Sequence, residues 1–138
     1  MGEQAERSEE VVVLVVEDDQ GIRESLKEYL EESGYQTVVA PNGCTGLAMM
    51  RGLRAPSVIL LDLKMPGLDG WEVRDLQRSD PALKDLPVIV LTAARVTEEV
   101  VKARCGDDVE VVRKPFSGSD LLGAIQRSCA RADGSLGR

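Results

Sequence analysis

Residues 57–70 read SVILLDLKMPGLDG. An apolar run, Val58 to Leu61, ends on a carboxylate, Asp62. Lys64, Met65, Pro66, Gly67 and Gly70 then hold the chain out of regular structure. A short continuous apolar run bounded by turn residues predicts a strand buried on both faces, the kind found in parallel sheets. An ionised carboxylate is too costly to bury unpaired, so Asp62 must emerge at the rim of the sheet.

Outward from this stretch the same pattern recurs. Val11–Val16 is apolar and mostly β-branched, and stops on Glu17-Asp18-Asp19. Pro87–Leu91 is apolar and stops on Thr92. Val109–Val112 is shorter and stops on Arg113-Lys114-Pro115. Tyr35–Ala40 is a fifth strand with no charged residue at its end.

Between the strands the period changes to that of helices. Ile22, Leu26, Tyr29 and Leu30 mark one face of a helix over 21–33, capped by Asp19 or Gln20 and closed by Gly34. Thr45–Arg54 is the second, with Leu47, Met50 and Leu53 inward and Ala55-Pro56 as its stop. Asp69 caps a third that contains Trp71, Val73 and Leu76 and packs Trp71 inward. Thr97–Cys105 is the fourth, closed by Gly106. Ser117 or Ser119 caps the last, with Leu121, Leu122, Ile125 and Cys129 inward. Val96, Val100 and Val101 suit either core or partner surface. Five strands alternating with five helices predict an α/β fold: a parallel sheet with right-handed crossovers and helices on both faces.

The bulk numbers fit one domain. The chain has 138 residues, 43% hydrophobic and 30% charged, with net charge −7. That charge disfavours the nucleic-acid backbone as a direct partner. Three cysteines and no histidine argue against a zinc site or a disulfide framework, and Cys44, Cys105 and Cys129 read as free, packing thiols. No signal peptide or membrane-length apolar run is evident, so a cytoplasmic location is expected. Residues 1–10 read as a disordered acidic tail, 11–130 as the domain, and 131–138 as a flexible tail or linker stub.

Ligands of open parallel sheets bind outside the carboxyl ends of the strands. Four strand ends deliver Glu17, Asp18, Asp62, Thr92 and Lys114 to that edge. Each close pair of carboxylates repels by about 1–4 kcal/mol, depending on the effective dielectric. One lysine cannot offset three acids, but a hard divalent cation such as Mg²⁺ can. A carboxylate beside such an ion, a hydroxyl and an ammonium is equipped to accept a phosphoryl group.

The motifs VVEDD (15–19), LLDLKMPGLDG (60–70), VLTA (90–93) and KPF (114–116) resemble, in order and spacing, the receiver domain of two-component response regulators. The similarity runs over about residues 11 to 130. It implies a flavodoxin-like fold, (βα)5, with strand order 2-1-3-4-5. It implies that Asp62 accepts a phosphoryl group from a phosphohistidine on a sensor histidine kinase or a histidine phosphotransfer protein. Mg²⁺ would be held by Asp18, Asp62 and the Lys64 backbone carbonyl, with Glu17 acting through water. Thr92 would be the switch hydroxyl, Lys114 the phosphate-binding amine, and Pro115 would follow a cis peptide bond. The product would be a signalling module with self-catalysed phosphotransfer and dephosphorylation, not an enzyme, and it would address a downstream protein target. Lys64 and Ala94 would flank the site and bear on water access.

Two departures stand out. Glu17 replaces the aspartate of many members. Val111 stands where the family usually has a switch aromatic, so an alternative is a docking module, phosphorylated or not, with non-standard output. A haloacid-dehalogenase-type phosphohydrolase is disfavoured. Its nucleophile follows the first strand, and a second aspartate usually stands two residues on, where this chain has Lys64.

Overall fold

The computed structural model describes residues 11–54, 57–93 and 95–132. The expected N-terminal tail, Ala55-Pro56, Ala94 and residues 133–138 lie outside them. The strands are β1 (Val12–Val16), β2 (Gln36–Ala40), β3 (Ser57–Asp62), β4 (Val88–Thr92) and β5 (Glu110–Arg113). They form one parallel sheet in the order β2-β1-β3-β4-β5. The flavodoxin-like expectation holds. Every residue of β3 is buried, as its unbroken apolar run requires.

Among the described residues, five helices connect and follow the strands: α1 (Gln20–Glu32), α2 (Gly43–Met50), α3 (Gly70–Ser79), α4 (Glu98–Cys105) and α5 (Gly118–Ala132). The sheet separates two interiors. Leu14, Val16, Ile59, Leu61, Val88 and Val90 face Met50, Val73 and Val101 from α2, α3 and α4. Val13, Val15, Val58, Leu60, Ile89 and Leu91 face Leu26, Leu30, Leu121 and Ile125 from α1 and α5. Alternation along each strand assigns neighbouring residues to opposite sides.

Helix starts follow side-chain capping. Asp19 accepts from the Ile22 amide at 2.9 Å. Asp69 and Glu72 form a reciprocal capping box. Ser117 and Asp120 exchange comparable bonds at the start of α5.

Several expectations need correction. α2 starts earlier than Thr45, because Asn42 caps it through the Thr45 amide at 2.8 Å. It also ends at Met50, where short-range bonds from Arg51 and Gly52 tighten the chain into a turn. α5 runs on to Ala132. Ile22 and Leu76 are exposed, at 39% and 49%. On α3 the buried positions are Gly70, Val73, Arg74 and Gln77. Cys105 is buried, but Cys44 is exposed and does not pack. Val101 belongs to the core, while Val100 is exposed.

The buried Arg74 is a polar hub. It donates to the Cys105 carbonyl (2.8 Å), to Gln77 Oε1 (2.8 Å) and to Asp108 Oδ1 (3.0 Å). Gln77 donates in turn to the carbonyls of Leu83 and Leu86. Burial pulls the Arg74 guanidinium below the ordinary arginine range, and Asp108 opposes that shift.

Candidate functional site

The parallel arrangement puts the C-terminal ends of β1, β3, β4 and β5 on one edge. Glu17 continues β1, its amide bonded to the Ala40 carbonyl at 3.1 Å. Asp62 ends β3 and Thr92 ends β4. The Lys114 amide donates to the Thr92 carbonyl at 2.8 Å, which places the lysine one step past β5, beside the threonine. The Lys114–Pro115 bond is cis, as the resemblance implied.

The predicted residues come together. Glu17, Asp18 and Asp62 each offer a carboxylate oxygen, and these oxygens lie within 4.8 Å of one another. Lys114 Nζ stands 3.4 Å from Asp62 Oδ2 and 3.7 Å from Glu17 Oε1. Glu17, Asp62 and Thr92 are buried, Asp18 is exposed, and Lys114 is partly exposed. Asp62 Oδ1 accepts from the Lys64 amide at 3.1 Å. The Lys64 side chain points to solvent.

The electrostatics are those of acids held too close. Burial, and then the neighbouring Asp62 carboxylate, push Glu17 up to about 7, while the Asp19 amide and Lys114 pull it down. Two buried oxygens, Glu17 Oε1 and Thr92 Oγ1, have no hydrogen-bond partner. Leaving such a group unsatisfied costs about 1–3 kcal/mol. The three-acid oxygen set suits a hard divalent cation, and Glu17, which carries one of the orphaned oxygens, belongs to that set. The residues present therefore fit the Mg²⁺ site that the resemblance implied.

Sequence reasoning missed two supporting groups. Arg23 donates to the backbone carbonyls of Glu17 (3.0 Å) and Asp18 (3.3 Å), holding the turn that carries both acids. Its signal was a cation one turn into the helix that follows the acids. Gly70 packs so closely that an added Cβ would lie 2.3 Å from the Asp62 carbonyl oxygen. The Gly70 amide also closes the 63–70 loop onto the Leu63 carbonyl at 3.0 Å. A glycine opening α3 was the clue to this close backbone approach.

Val111 pairs with Val90 on β4 and packs, partly buried, on the α2–α3–α4 side of the core. No helix among the described residues is long and apolar enough to cross a membrane.

Comparison with known proteins agrees with the fold. The response regulator MprA of Mycobacterium bovis is 40% identical over 117 residues, covering 84% of this chain and 49% of that protein. The chain thus spans about half the length of the curated relatives it matches. Among solved structures, chemotaxis protein CheY4 of Vibrio cholerae aligns with TM-score 0.74 and 29% identity, over 86% of this chain and 98% of that one. A chain from adenylate cyclase of Rhodopirellula baltica aligns with TM-score 0.79 and 25% identity, over 94% and 93%. The model of the response regulator receiver domain family matches residues 13–126, and the chain belongs to that family, the receiver domains of two-component systems.

Proposed function

We propose that Asp62 is the phosphoacceptor of this receiver, taking a phosphoryl group from a phosphohistidine on a sensor histidine kinase or histidine phosphotransfer protein. The observation that carries this is the convergence of Asp62, Lys114 and two orphaned buried oxygens at one strand edge. Mg²⁺ would be held by the Asp18 and Asp62 carboxylates and the Lys64 carbonyl, with Glu17 acting through water. When bound, the ion offsets the clustered negative charge and draws phosphate oxygens in.

The chain's own groups do the rest. An Asp62 oxygen attacks phosphorus, the phosphorus–nitrogen bond of the donor breaks, and the imidazole leaves with that electron pair. The Lys114 ammonium takes one phosphoryl oxygen and the Thr92 hydroxyl donates to another, satisfying its buried oxygen. Catalysis is mainly positioning and charge neutralisation. The same site hydrolyses the acyl phosphate, so the domain signals rather than turning over substrate. It would work in the cytoplasm, with a downstream protein as its target.

A second reading concerns output. With Val111 in place of an aromatic, the change at Thr92 would be relayed without an aromatic rotamer switch. The half-buried packing of Val111 supports this.

Incubation with Mg²⁺ and acetyl phosphate, followed by intact-protein mass spectrometry, tests the first reading. One phosphoryl increment is expected, lost in Asp62→Asn. Equal labelling of the variant would sink it. For the second, backbone chemical shifts of β5 and its flanking helices should move on phosphorylation; stationary shifts would send the output elsewhere.

A further inference from the structure

α4 is held very differently at its two ends. At the C-terminal end, Arg74 donates to the Cys105 carbonyl and pairs with Asp108, and Arg78 donates to the Arg104 carbonyl at 3.3 Å. Arg104 itself bonds Asp75 at 2.7 Å and lies over the Trp71 ring, 5.5 Å from its centroid. Cys105 is fully buried. At the N-terminal end Glu98, Glu99 and Val100 are exposed, Val100 at 53%. Among the described residues, every hydrogen bond from α4 to another helix falls in its last turn.

The end without hydrogen bonds to another helix among the described residues, held by the packing of Val101 in the core, is the one joined to the site. Four residues separate Thr92 from Thr97, which caps α4 through the Val100 amide at 3.2 Å. The fixed end is tied to a buried guanidinium whose remaining contacts run through Gln77 to the 83–86 segment. A buried arginine with each of its three nitrogens hydrogen-bonded is rigid, because breaking the contacts to the Cys105 carbonyl or to Gln77 strands a polar group away from water.

We propose that Arg74 is a positioning residue that makes the C-terminal end of α4 a fixed pivot, so that the helix answers the state of the site by moving at its first turn alone. This rests on the reading of Asp62 and Thr92 given above. Arg74 touches neither residue; it sets which end of α4 can move.

Amide hydrogen exchange on the full chain tests the pivot, with Mg²⁺ and beryllofluoride as the phosphoryl mimic. In the untreated protein the amides of Cys105 and Gly106 should exchange at least about tenfold more slowly than those of Val101 and Lys102, since local opening follows the number of ties that must break. Equal rates overturn the proposal. Arg74→Met should erase the difference. Asp108→Ala removes only one arm at a side chain that is 68% exposed, keeps the fold, and should narrow it severalfold. Adding the mimic should alter exchange at 98–102 and leave 104–108 unchanged, whereas in Arg74→Met the response should spread through 108. A wild-type response as large at 104–108 as at 98–102 also overturns the pivot. If the Lys64 amide, bonded to Asp62, does not respond at all, the phosphoacceptor reading fails, while the gradient in the untreated protein still decides the pivot.

Discussion

Lys114 Nζ reaches across the end of β4 to stand 3.4 Å from Asp62 Oδ2. Among the described residues it is the cation paired with Glu17 and Asp62, and it competes with a divalent ion for the same oxygens. Replacing Lys114 by Met should therefore enlarge the rise in melting temperature that Mg²⁺ produces. One ion-pair contribution of about 1 kcal/mol corresponds to roughly 3 °C in a domain of this size. Thermal scans with and without Mg²⁺ check this; equal shifts in both proteins would show that Lys114 and the ion do not share oxygens.

Glu17 gives a pH dependence with a definite sign. Its folded-state pKa is raised from 4.5 to about 7 by burial and by Asp62. The folded protein then holds a proton that the unfolded chain releases, and stability from this group is fully present below about pH 4.5 and lost as pH rises through about 7. Metal-free protein should unfold at lower denaturant near pH 8 than near pH 6. Glu17→Gln should flatten that difference, and Mg²⁺ should remove it in the wild type. A wild-type slope that survives Glu17→Gln would assign it to another group.

Removing the Arg74 guanidinium leaves the Cys105 carbonyl, Gln77 and Asp108 without a donor. Arg74→Met should cost about 3 kcal/mol of folding stability, the scale for breaking a buried charged network from one side. Asp108→Ala, which leaves Arg74 Nη2 without its partner but keeps the other two contacts, should cost less, about 1–2 kcal/mol. Urea denaturation gives both numbers, and similar costs would show that the burial of the network carries no weight.

Alanine at either of two glycines near the site should destabilise the fold, but only one of them should disturb the metal site. A Cβ at Gly70 would meet the Asp62 carbonyl at 2.3 Å and Leu63 Cα at 2.5 Å, both backbone atoms that cannot swing aside. Gly70→Ala should cost about 2–3 kcal/mol and weaken stabilisation by Mg²⁺, because β3 must shift. A Cβ at Gly67 meets nothing within 4 Å, but its φ is +72. Gly67→Ala should cost about 1–2 kcal/mol of backbone strain and leave the Mg²⁺ effect intact.

The sheet and the gathering of Glu17, Asp18, Asp62, Thr92 and Lys114 were legible in the sequence for one physical reason. A buried strand must be apolar, so the residue that breaks each run marks the sheet edge. What stayed hidden was set by partners far along the chain. Arg74 and Gln77, three apart on a helix, look like a solvated face until Asp108, 34 residues on, and the carbonyls of Leu83 and Leu86 are brought to them. Ile22 matches the helical period of Leu26 and Leu30, yet it lies in the first turn of α1 and is exposed. The perturbation of Glu17 depends on burial, which no local pattern encodes.

The two-sided interior also bears on how this protein can change over time. Leu60 and Leu61 are consecutive in the chain but sit in separate cores. Conservative replacements at the two should have additive effects, as though the residues were distant. Substitutions can then accumulate under α2, α3 and α4, reshaping what a partner meets there, while the packing of α1 and α5 stays as it was. The sheet acts as a firewall, and each side of the molecule can drift on its own account as long as the strand ends keep their places.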